Sequence, residues 1–198
     1  MEYAVLLIGL IALGIYGVYY GVRYQQCPEG EQVGRELGFS PTVVGASSED
    51  SYYTAKGRAN AIETLVYILQ NPAGRRTGAW YKVEVMCRAA NPAGIELEIY
   101  NGILNRPLRF SLPPRVRGVA GWDNFVVRCN SPEAAARLLS AVMPDTNNVF
   151  KEGSGFLRLG LKGGKLQAYF RLNGFVGTDY VAKAVEEVSK LAALANLG

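Results

Sequence analysis

The side chains of this 198-residue chain best equipped for chemistry are its arginines. Arg outnumbers Lys two to one among 21 basic residues, and the stretch from 75 to 128 holds the excess charge. Arg75, Arg76, Arg88, Arg106, Arg109, Arg115, Arg117 and Arg128 all fall within it. A guanidinium pairs in a plane and bidentately with carboxylate or phosphate. The stretch therefore points to an acidic protein face or to anionic lipid headgroups, with solvated strand faces and loops as the plain alternative. In Leu112-Pro-Pro-Arg-Val-Arg-Gly118 two prolines hold a loop extended while two arginines point outward. Arg109, Arg115 and Arg117 are the expected partner or lipid contacts.

Other chemistries are thinly supplied. The chain has no His, which removes the commonest general base, the His-paired Ser and Cys nucleophiles and most transition-metal sites. Three Cys at irregular spacing do not make a disulfide framework. Cys87 and Cys129 fall on the apolar faces of predicted strands and read as buried thiols, whereas Cys27 reads as a bystander thiol, with palmitoylation its alternative. Gly153-Ser-Gly155 lacks the Lys and helix of a phosphate loop, and Lys162-Gly-Gly-Lys165 reads as a hairpin turn. Glu96/Glu98 and Glu186/Glu187 read as solvated carboxylates on polar faces, not as acid–base pairs. Nucleic-acid binding needs aromatics interleaved with the arginines, and Trp80, Tyr81 and Tyr100 have no motif to frame them. The expectation is a non-catalytic chain with no cofactor, no metal and no nucleic-acid partner. An active site on Asp, Lys, Tyr or Cys is the rival reading.

The elements that must position these residues divide into three parts: 1–24, 25–54 and 55–198. Tyr3 to Val22 is uncharged throughout and long enough, at 1.5 Å per residue, to span roughly 30 Å of hydrocarbon. It is expected to be an uncleaved single-pass transmembrane helix. Tyr3, Tyr19, Tyr20, Arg23 and Tyr24 would sit at the membrane interfaces. Gly14, Gly17 and Gly21 would thin one face for a partner helix, although Gly is common in such helices in any case. Basic residues after the span favour an outside N-terminus and a cytoplasmic domain on a cell membrane. Residues 25–54 read as a polar juxtamembrane linker, long enough to need a surface to lie on.

In the third part a helix is expected from Lys56 to Gln70, since Ile62, Leu65, Val66 and Leu69 share a helical face. Period-two patterns then predict strands at Tyr81–Arg88, Ile95–Ile99, Leu108–Leu112 and Phe125–Cys129. Ser131 caps a helix from Pro132 to Met143. Leu157, Leu159 and Leu161 lead through Gly163-Gly164 to Leu166, Ala168 and Phe170. Thr178 or Asp179 caps a last amphipathic helix. The fold class is α+β: an N-terminal transmembrane helix, then a mostly antiparallel sheet covered by helices on one face.

From Trp122 through Leu139, and on through Leu157–Phe170, the chain resembles uncharacterised bacterial single-pass membrane-anchored α+β proteins. In those, a strand ending near Ser-Pro-Glu-Ala-Ala feeds a helix and then a Gly-turned hairpin. The resemblance implies that such a domain on an anchor is a natural arrangement and carries no functional residue. The function expected is an accessory subunit of a larger membrane complex, with a respiratory or photosynthetic assembly as a natural host, partnered by integral membrane subunits. A free-standing membrane-tethered binding module using the arginines is the alternative.

Overall fold

The structure is a computed structural model. It describes residues 11, 28–46, 51–71, 80–101, 113–142, 149–150, 153–173 and 177–197. In chain order the elements are α1 (Pro28–Glu36), β1 (Ser40–Ala46), β2 (Ser51–Ala59), β3 (Ile62–Asn71), β4 (Trp80–Arg88), β5 (Leu97–Asn101) and β6 (Arg115–Val116). They continue with β7 (Phe125–Cys129), α2 (Pro132–Ser140), β8 (Phe156–Lys162), β9 (Lys165–Asn173) and α3 (Thr178–Asn196).

The strands form one sheet of nine in the order β1-β2-β3-β4-β9-β8-β5-β7-β6. All of its neighbouring pairs are antiparallel. Period-two patterning builds it: Tyr81, Val83, Val85 and Cys87 of β4 are buried while Lys82, Glu84 and Met86 are not. Leu166, Ala168 and Phe170 of β9 continue that apolar face, as do Leu97 and Ile99 of β5. Across it lies α3, which buries Val181, Ala184, Val185, Val188, Leu191, Ala192 and Ala195 on one stripe. α1 packs beside α3 over β1 and β2, and α2 beside α3 over β7. The three helices therefore share one face of the sheet. Removing apolar surface from water at about 25 cal/mol per Å² is the main stabilising term of such a layer.

Trp122, Phe125, Phe150, Phe156 and Phe170 form an edge-to-face aromatic cluster below α2 and α3, with ring centroids 5.1–6.5 Å apart. Trp122 Nε1 donates to the Leu139 carbonyl at 3.3 Å, so the indole is satisfied while buried. Ser131 caps α2 by accepting from the Ala134 amide, whereas the residue capping α3 is Gly177, one before Thr178.

Several expectations are corrected. Lys56–Gln70 is not a helix but the β2–β3 hairpin, turned by Asn60 and Ala61 at φ 49° and 63°. Leu65-Val-Tyr-Ile-Leu69 is a continuous apolar run, whose periodicity fits a helix or a strand covered on both sides. Pairing with β2 and β4 decides for the strand. Residues 25–54 are not a linker, since α1, β1 and the start of β2 fall within them. The fold class is corrected with them, from an N-terminal transmembrane helix followed by a mostly antiparallel sheet covered by helices on one face to a nine-stranded antiparallel sheet in which these residues take part.

No described helix is long and apolar enough to cross a membrane. α1 and α2 have nine residues each. α3 has nineteen but carries Asp179, Lys183, Glu186, Glu187 and Lys190. This corrects the single-pass transmembrane expectation and the membrane localisation drawn from it. Apart from Ile11, the stretch Tyr3–Val22 lies outside the described residues, as do Gly14, Gly17, Gly21, Tyr3, Tyr19, Tyr20, Arg23, Tyr24 and Cys27. The strand expected at Leu108–Leu112 lies outside them too.

Candidate docking face

With the described helices gathered on one side, strand alternation sends the other set of side chains to the opposite face of the sheet. Register places them in rows. One row runs Thr54, Tyr67, Glu84, Tyr169, Arg158, Tyr100 across β2, β3, β4, β9, β8 and β5. Beside it run Tyr52, Leu69, Lys82 and Arg171. On the other side run Lys56, Leu65, Met86, Gln167, Gly160, Glu98, Arg128 and Arg115. At the β2–β3 end the face is apolar and aromatic, with Tyr52 stacked on Tyr67 at 6.1 Å between ring centroids.

Toward β9 and β8 the face becomes aromatic and cationic. Arg171 lies over the Trp80 ring at 5.0 Å and Lys82 over the Tyr169 ring at 5.2 Å. Both distances lie within cation–π range. Together with Leu157 and Arg158 these residues line a depression of about 250 Å³. Next to it, across Arg158, a smaller one of about 120 Å³ is floored by Gly160 and walled by Glu98, Gln167, Lys162 and Lys165.

Ion pairing on this face is uneven. Glu98, only 6% exposed, holds Arg158 Nη2 at 2.5 Å. Glu84 faces Lys82 at 3.7 Å and Glu96 faces Lys162 at 3.2 Å. Glu63 takes Lys56 and Arg88, and the Lys56 contact holds its carboxyl below the usual carboxylate range. Arg128 spends its hydrogen bonds on neutral acceptors, the Tyr100 hydroxyl at 3.3 Å and the Pro113 carbonyl at 3.1 Å. Among the described residues, Arg115 and Arg171 have no carboxylate in ion-pair range.

Of the arginines singled out in sequence, Arg115 and Arg128 thus reach this face side by side, on β6 and β7. Arg117 is exposed just past β6, and Arg109 lies outside the described residues. Arg158 and Arg171 were not anticipated, since they belong to β8 and β9, far along the chain. Their signal was present as polar positions in alternating strands, but a register shift between Phe156 and Arg158 breaks the alternation in β8. Phe156, not Leu157, fills the core beside Leu159 and Leu161, and Leu157 turns to the rim of the depression. Glu98 is likewise not the solvated carboxylate expected, because β5 is an interior strand whose open side is covered around Pro113.

Reactive groups elsewhere are muted. Cys87 and Cys129 are buried and free. Burial pushes the Cys87 thiol up to about 11, with Thr64 Oγ1 3.5 Å away, which leaves it poor in nucleophilic thiolate at neutral pH. The Tyr180 hydroxyl is pushed up by burial and donates to the Ser154 carbonyl at 2.9 Å. Glu186 and Glu187 both face Lys190 on α3. Among the described residues no group of three or more His, Cys, Asp or Glu is placed to hold a metal ion.

Fold and site together define an α+β domain with helices on one face of a single antiparallel sheet and an aromatic, arginine-bearing surface on the other. No protein-family model and no curated protein matches the sequence. Among solved structures the chain is similar to the mycobacterial trehalose monomycolate transport factor A, TtfA, with a TM-score of 0.54 over 85% of this chain and 95% of that one. The two are 8% identical, so the likeness is one of fold.

Proposed function

We propose that this chain is a non-catalytic binding subunit, which docks a partner protein on the face of its sheet opposite the described helices α1, α2 and α3. The observation that carries the reading is the make-up of that face. Tyr52, Tyr67, Leu69, Trp80, Met86 and Tyr169 present rings and aliphatic groups between arginines and lysines. Aromatics with Arg are the residue types enriched at protein interfaces. The described thiols and the Tyr180 hydroxyl are buried, which suits a surface that binds and does not turn over.

The test is co-purification of the full chain from its native host. Tyr67→Thr/Tyr169→Thr removes two rings from the face while keeping residues that favour strands. It should melt near the parent and lose the stoichiometric partner, whereas Lys190→Glu on the outer side of α3 should retain it. Retention of the partner by the double-Thr variant, or its loss from Lys190→Glu alone, would overturn the assignment of the face.

A further inference from the structure

The arginines of the open face are not scattered. Arg171 on β9, Arg158 on β8, Arg128 on β7 and Arg115 on β6 lie on the same side of the sheet, stepping across it with β5 between the second and third. At about 4.8 Å per strand it spans roughly 19 Å across the sheet, and with the offset of about 13 Å along the strands it is roughly 23 Å long. It crosses the strands obliquely, through three successive rows, so no single stretch of sequence displays it.

The charge accounting along this line is one-sided. Each described carboxylate beside it already has a cation: Glu98 has Arg158, Glu84 has Lys82 and Glu96 has Lys162. Arg171 and Arg115 are left over at the two ends, and Arg128 between them holds neutral oxygens. Midway, Gly160 presents no side chain and opens the depression beside Glu98, room for a ligand's side chain to enter.

Resting on the docking role proposed above, we infer that the stripe receives an extended acidic segment of the partner protein. About seven residues of extended chain, at roughly 3.3 Å each, cover its length. Carboxylates at alternate positions meet guanidinium groups that pair bidentately, and intervening apolar residues meet Leu157 and Tyr169. A nucleic-acid strand fits worse. Trp80 and Tyr169 each carry a cation over the ring, Arg171 and Lys82, which leaves less ring surface along the stripe for successive bases to stack on.

The experiment uses the full chain and a fluorescein-labelled octapeptide alternating Glu and Leu, with a Gln/Leu peptide and a single-stranded octanucleotide as comparisons. The Glu/Leu peptide should bind saturably, weaken with added salt, and outcompete both others. Arg115→Glu/Arg171→Glu changes two groups without a carboxylate partner, and should weaken binding about tenfold or more without shifting the melting temperature. Arg137→Glu on α2 should leave binding unchanged. Equal binding of the Gln/Leu peptide, tighter binding of the oligonucleotide, or an unaltered affinity in the double variant would each overturn the acidic-segment assignment. Should the double-Thr variant nonetheless lose its partner in the co-purification, the docking face would stand and the acidic ligand alone would fall.

Discussion

Gly155 shows how much of the site depends on one position with no side chain. It lies at φ 92°, and an added Cβ would stand 2.4 Å from the Arg171 carbonyl oxygen. Its own carbonyl accepts from the Arg171 amide at 2.7 Å. The backbone thus ties the entry to β8 against β9 directly behind the guanidinium that overlies Trp80. Gly155→Ala combines a disfavoured backbone with a clash against main chain and should cost about 2–5 kcal/mol, read as a fall in denaturation midpoint. A change within a few tenths of a kcal/mol would mean that this close approach is not a constraint. The sequence identifies Gly153-Ser-Gly155 only as a failed phosphate loop, because a glycine needed for approach to a distant strand looks like any loop glycine. Arg115 and Arg128 were legible as part of a basic cluster. Arg158 and Arg171 join them only through register, which composition does not encode.

At the level of elements, short-range patterns were readable and long-range cover was not. Alternation locates β4, β7 and β9, and the Ser131-Pro132 pair locates the start of α2, because each signal lies inside one segment. The β2–β3 hairpin was not readable, since β3 is apolar on both sides and its turn is Asn60-Ala61 without a glycine. α1 was missed for a related reason. It is short and mostly polar, and is held by two fits in which a ring takes the place of a missing Cβ: Tyr53 against Gly34 and Phe39 against Gly57. An ideal Cβ on Gly57 would stand 2.2 Å from Phe39 Cδ1, so Gly57→Ala must push the ring away. The expected cost is about 1–3 kcal/mol from overpacking. Amide exchange should speed up in α1 more than in β4. Uniform acceleration across the sheet would show instead that α1 does not lift off separately.

Among the described residues, nine antiparallel strands with α1, α2 and α3 on one side produce two unlike faces from a single alternating code. The helical face is closed by α1, α2 and α3 over an aliphatic and aromatic core. The opposite face pairs each of its acidic residues Glu63, Glu84, Glu96 and Glu98 and keeps arginine to spare. That asymmetry is the basis for reading the molecule as a docking subunit. The measurement that probes it most directly is site-specific photo-crosslinking in the native host. A benzophenone side chain would replace Tyr169 on the open face in one version of the chain and Lys190 on α3 in another. The account predicts a partner-protein adduct of discrete mass from position 169 and none from position 190. An adduct from position 190 with none from 169 would contradict it.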